Sequence, residues 1–149
     1  MNASQYTPEE SISSIATALA PAALGIVRTS GKDCIQLLSK VFSRPKALLQ
    51  APGNTLVYGW IKDGDSRIDE VMLAVYKAPK SFTGEDMVEI FCHGGPAVVT
   101  AIQNLMLKSG FRAANRGEYT FCAFINGKTD LTKAEAVKEI IDSHPDASR

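Results

Sequence analysis

Cysteine is scarce in this chain: Cys34, Cys92 and Cys122 are odd in number, widely spaced and form no C-x-x-C. That argues against a disulfide framework or a zinc site, and buried or reduced thiols are expected instead. No apolar run approaches the ~18 residues that a membrane span requires. The opening stretch MNASQYTPEES is polar and acidic, without the basic-then-apolar character of a signal peptide. An excess of either charge is missing as well. The 16 Lys and Arg balance 16 Asp and Glu and are scattered, whereas a stand-alone nucleic-acid binder normally carries a basic stripe. A phosphate loop of the G-x-x-x-x-G-K-[ST] type does not occur, nor do internal repeats. The expectation is a cytoplasmic protein that makes no use of a membrane.

What is present is globular. Apolar residues make up 45% and charged residues 21% of the 149, and a chain of that length buries roughly two-thirds of its unfolded surface. Length favours one domain, or one domain with a fragment of another.

Residues 12–17 and 24–29 read as two buried strands or a strand pair. Ser30 opens a capping-box pattern, S-G-K-D, before a helix whose stripe is Ile35, Leu37, Leu38, Val41 and Phe42, ended by Arg44-Pro45. Leu56, Tyr58 and Trp60 alternate with Val57, Gly59 and Ile61, as in a strand covered on both faces. Asp63-Gly64 predicts a hairpin, with Asp69–Tyr76 returning. After the loop KAPKSFTGED, Met87–His93 is a strand. Gly94-Gly95-Pro96 then opens a helix with proline at its first position, buried through Val98, Val99, Ile102, Leu105 and Met106 and ended by Gly110. A short strand at Phe111–Ala113 follows. Beyond Gly117 the pattern is helical: Thr132 and Glu135 form a second capping box ahead of the stripe Ala134, Val137, Ile140 and Ile141. The fold class is α+β, a mixed β-sheet with packed helices, over residues 1–118. Residues 119–149 are expected to start a helical domain.

The strand Met87–His93 carries the chemistry. Side chains alternate faces, so Val88, Ile90 and Cys92 share one face and Met87, Glu89, Phe91 and His93 the other. A carboxylate and an imidazole flanking an aromatic fit a half-exposed strand with solvated polar groups. They also fit a wall for a flat heterocycle, because a carboxylate accepts two parallel N–H bonds from an aminopyrimidinone edge. Gly94 and Gly95 either present backbone N–H groups to an anion or simply admit the chain to its helix. His93 is a base or a hydrogen-bonding residue. A nucleophile pairing of His93 with Cys92, as in a small hydrolase that could also use Glu89, is disfavoured because the two point to opposite faces. Arg28, at the end of an apolar strand, can snorkel from a core or reach a ligand carboxylate. Lys128, after Asn126-Gly127, sits in a tight turn.

SFTGEDMVEIFCHGG, GEYT and AFINGKTDLTKAEAV resemble the N-terminal region of the MnmE (TrmE) tRNA-modification GTPases. The family pattern is close to S-F-T-G-E-D-x-x-E-x-x-x-H-G-G, then P-G-E-F-T-x-R-A-F-x-N-G-K-x-D-L-x-Q-A-E-A. The opening ESISSIATALAPAALGIVRTSG is similar to the family's first block, and the likeness covers nearly the whole chain. One stretch and two single positions depart from it. The family's P-P-G-x-G-G is Ala18–Ala23 here, Arg116 stands for its proline, and Cys122 for its arginine.

The resemblance implies a domain like the folate-binding domains of aminomethyltransferases, which binds 5-formyl- or 5,10-methylene-tetrahydrofolate and forms the homodimer. By position, Arg28, Glu89 and Lys128 would contact the folate. In the parent protein a GTP-binding domain, with Mg2+ and K+, is inserted in the helical domain. With the flavoprotein MnmG, the parent modifies the wobble uridine of certain tRNAs. No GTP-binding loop lies in these residues, so GTP hydrolysis is expected of a longer parent. The alternative is a structural dimerisation module that no longer binds folate.

Overall fold

The computed structural model describes residues 10–128. It is an α+β fold built on one mixed six-stranded sheet. The chain order is β1 (Ile12–Ile15), β2 (Leu24–Ser30), α1 (Cys34–Ser39), α2 (Pro45–Gln50), β3 (Thr55–Asp63), β4 (Ser66–Tyr76), β5 (Met87–His93), α3 (Pro96–Lys108), β6 (Arg112–Ala113) and α4 (Glu118–Ile125). The strands lie in the order β3-β4-β5-β2-β1-β6. Neighbours are antiparallel except β1 and β6, which run parallel.

Pairing makes the two faces unequal. Val57, Ile61, Val71, Leu73, Val75, Val88, Ile90, Cys92 and Val27 point to one side, where they pack with Cys34, Ile35, Leu38 and Leu48 of α1 and α2 and Val99, Ile102, Leu105 and Met106 of α3. At about 25 cal/mol per Å² of buried apolar surface, this layer dominates stability. The opposite face holds Leu56, Tyr58, Met72, Phe91, Ile26 and Leu24. No described helix covers its middle, and Leu56 is 65% exposed and Tyr58 48%.

β5 and α3 have the predicted bounds, with Pro96 in the first turn, and the β3–β4 hairpin turns at Gly64, φ 60°. Three expectations are corrected. Ser30 ends β2, and its hydroxyl pairs with Thr83 Oγ1 at 2.8 Å. The helix instead begins after Asp33, whose side chain makes no capping bond. That helix ends at Ser39, so Val41 and Phe42 lie outside it and Phe42 bridges to Ile61. Pro45 starts α2, where a fixed φ suits the first helical turn. Finally, β3 is covered on one face only, because α1, α2 and α3 pack on that side of the sheet, while α4 meets the other face at β1 and β2, away from β3. The Thr132–Glu135 box and the stripe Ala134, Val137, Ile140 and Ile141 fall outside the described residues.

Candidate functional site

β2 and β5 run antiparallel with Arg28 directly opposite Glu89. At such positions side chains on one face lie within reach of each other. Arg28 donates from Nε to Glu89 Oε2 at 3.0 Å, and its Nη2 stands 3.0 Å from the same oxygen in the ion pair. The Tyr76 hydroxyl, on β4, donates to Oε1 at a long 3.4 Å. Glu89 is therefore held by a cation on one oxygen and only loosely engaged on the other. The pair is partly shielded, with the arginine side chain 35% and the glutamate 15% exposed.

Two rings flank the guanidinium. Its carbon lies 5.4 Å from the centroid of Tyr119 and 6.0 Å from that of Phe82, distances at which cation–π attraction operates. Tyr119, on α4, donates its hydroxyl to the Arg28 carbonyl at 2.8 Å and accepts from Ser14 Oγ at 3.0 Å. Burial pushes the Tyr119 phenol well above its ordinary range, and burial, then the Glu89 charge, raises Tyr76. Both hydroxyls are thus neutral donors at physiological pH.

α4 is fixed by its first residue. Glu118, 1% exposed, accepts from Arg112 Nη1 at 3.0 Å and Nη2 at 2.5 Å, and from the Asn115 N–H at 2.9 Å. Arg112 also reaches Glu10. Past α4, Asn126 donates to the Thr83 carbonyl at 2.8 Å and Lys128 Nζ to the Pro79 carbonyl at 3.2 Å. These bonds clamp the loop that carries Phe82. Gly84 is needed there: its φ is +83°, and a Cβ would stand 2.7 Å from that of Asn126. Arg28 and Glu89 are thus in direct contact, while Lys128 touches the loop beside them.

His93 belongs to a different cluster. The β4–β5 ladder stops at Met72 and Phe91, and Asp69 takes over. Its carboxylate accepts from the His93 N–H at 2.9 Å and from Nδ1 at 2.7 Å. Carboxylate oxygens only accept, so Nδ1 carries the proton and Nε2 faces outward on a ring that is 70% exposed. His93 is a hydrogen-bonding residue, as one of the two readings had it. Cys92 turns into the core beneath, its thiol pushed up to about 11 by burial and then by Asp69. Burial raises Cys34 further still. All three cysteines are buried, and none is in a disulfide. The glycine pair divides: a Cβ on Gly94 would come within 2.5 Å of the Ala22 carbonyl oxygen, whereas Gly95 has open space.

Sequence reasoning missed Tyr76, Tyr119, Phe82, Asp69 and Asn126. Phe82, Tyr119 and Asn126 stand inside the motifs quoted above, but only the folded chain shows what they touch. Asp69 had no signal beyond being a charge in a strand.

A family model described as the GTP-binding protein TrmE N-terminus matches residues 11–128. The chain is 57% identical over 148 residues to a protein of Treponema denticola named tRNA modification GTPase MnmE, covering 98% of this chain and 31% of that protein. Proteins of the same name from Treponema pallidum (strain Nichols) and Borrelia turicatae are 52% identical over 149 residues and 47% over 140. This chain spans 30% of the length of each of those two.

Proposed function

The chain belongs to the TrmE N-terminus family, and from that membership we propose that it is the folate-binding, dimerising part of a tRNA-modification GTPase. The observation that carries the reading is the state of Glu89. Arg28 holds it in place through one oxygen, while the other is engaged only at 3.4 Å. The carboxylate therefore retains lone pairs for the two N–H donors of a pterin edge. Arg28 and Lys128 supply positive charge for the ligand's carbonyls or carboxylates, and an exposed aromatic stands beside them. This donor and acceptor set fits 5-formyl- or 5,10-methylene-tetrahydrofolate. When bound, the folate supplies the one-carbon unit; the residues of this chain bind and orient it.

Homodimerisation is part of the same proposal. The open sheet face presents Leu56 and Tyr58, and a groove of about 600 Å³ beside it is lined by Ala47, Pro52, Leu56, Tyr58 and Met72 among others. An apolar face of this kind marks an interaction surface. Residues 1–118 form the folate-binding and dimerising domain, and 119–149 open the helical one. GTP hydrolysis with Mg2+ and K+, and wobble-uridine modification of tRNA with MnmG, belong to the longer protein in the cytoplasm. Among the described residues no helix is long and apolar enough to cross a membrane.

The second reading is a dimerisation module without ligand. Arg28 already neutralises Glu89, and Ala18–Ala23 lacks the glycines of the family loop. Calorimetry with 5-formyltetrahydrofolate separates the two. Saturable binding supports the first; no heat at millimolar ligand, from a folded protein, supports the second. Light scattering on the wild type and Tyr58→Asp tests the dimer, and a monomeric wild type at high concentration overturns it.

A further inference from the structure

Phe82 is a large apolar side chain left 54% exposed in a loop that has no slack. Thr83 beside it is fully buried and bonded to Ser30, and its hydroxyl also accepts from the Glu85 N–H at 3.2 Å. Ser81 Oγ accepts from the Gly84 N–H at 3.0 Å and donates to the Glu85 carbonyl. Asn126 and Lys128 tie the same loop down from the far end of α4. The exposure of Phe82 is thus built into the loop's bonding. Its ring stands 6.0 Å from the Arg28 guanidinium carbon, and Arg28 is bonded to Glu89. Of the two rings beside that guanidinium, Tyr119 is tied into the fold through its hydroxyl, while Phe82 keeps half its surface in solvent.

We infer that Phe82 is a binding residue of the folate site, supplying the ring against which the flat aminopyrimidinone ring of the reduced pterin head stacks while its donor edge meets Glu89. This rests on the folate reading above and adds to it a specificity element: a flat, aromatic ligand is preferred over an aliphatic one with the same hydrogen-bonding edge. An aromatic ring presents a π-face at little conformational cost, and stacking of this kind is sequence-independent chemistry available to any planar heterocycle.

The test is calorimetry with 5-formyltetrahydrofolate and, separately, with a tetrahydropterin lacking the aminobenzoyl-glutamate tail. Wild type, Phe82→Leu and Phe82→Tyr are compared. Phe82→Leu keeps apolar bulk but removes the ring, and should weaken both ligands by about tenfold; Phe82→Tyr should stay within about twofold. Because the side chain is half exposed, the melting temperature should hold in both variants, which confines the effect to binding. If wild type binds and Phe82→Leu binds equally well, the stacking assignment is wrong and the folate reading stands. If the loss appears only with the full ligand, Phe82 meets the tail and not the head, which also overturns it. If wild type binds neither ligand, the folate reading itself falls and this inference with it.

Discussion

Arg28 and Glu89 are 61 residues apart in sequence and 3.0 Å apart in the fold, each the other's charge partner across the β2–β5 ladder. The relationship joins two residues that had separately been expected to contact a ligand. A ligand on Glu89 therefore meets a carboxylate already engaged by Arg28 through one oxygen.

Glu89→Ala removes the acceptor and leaves the ligand's donors unpaired. Affinity for 5-formyltetrahydrofolate should fall by about 1.5–3 kcal/mol, the range for a charge-assisted contact. Calorimetry measures this. Equal binding by the variant would remove Glu89 from the site while leaving the family assignment intact.

Lys128 is exposed and bonded to one carbonyl, so its contribution is mainly a point charge. Lys128→Ala should weaken folate binding at low salt and flatten its salt dependence, because screening is nearly complete at roughly 1 M ionic strength. Parallel salt titrations of the two proteins would show no role for the charge.

Glu118 is buried and satisfies both Arg112 and the Asn115 N–H. Glu118→Ala leaves a guanidinium and an amide without their acceptor and releases the start of α4. A stability loss of about 2–4 kcal/mol is expected in chemical denaturation, towards the low end because Arg112 keeps Glu10. A loss below about 0.5 kcal/mol would mean that α4 is held by packing alone.

Asp69 caps the end of the β4–β5 ladder by accepting from the His93 backbone and ring. Asp69→Ala strands an N–H and should cost about 1–2 kcal/mol. His93→Ala removes only an exposed ring and should cost less. The reverse order in thermal melts would make the imidazole, and not the carboxylate, the structural member.

The thiol of Cys92 has a folded pKa of about 11 against an ordinary 9.0. Between those values the native state holds the proton and the unfolded chain releases it. Its contribution to stability is therefore complete below pH 9 and declines as pH rises towards about 11. Denaturation across that window should show stability falling, less steeply in Cys92→Ala. Thiol-specific reagents at neutral pH should label Cys34 and Cys92 only on unfolding.

Local pattern was enough to define β5, α3 and the β3–β4 hairpin, because a period-two strand, a glycine–proline helix entry and an aspartate–glycine turn are set by neighbours in sequence. The alternation on β5 separated Glu89 and His93 from Cys92 for the same reason. Motif likeness pointed to the family and to Arg28, Glu89 and Lys128. What the sequence could not decide were matters of partner choice. The S-G-K-D box looked like a helix cap, yet Ser30 found Thr83, 53 residues away, as a better-placed bonding partner inside the sheet. Leu56 and Tyr58 looked buried because apolar alternation does not reveal that β3 is an edge strand which α4, at the other end of that face, does not reach. Arg28 with Glu89, and Asp69 with His93, are pairings between strands, fixed by register. Register depends on which strands become neighbours, and that choice is made by burial of the whole core.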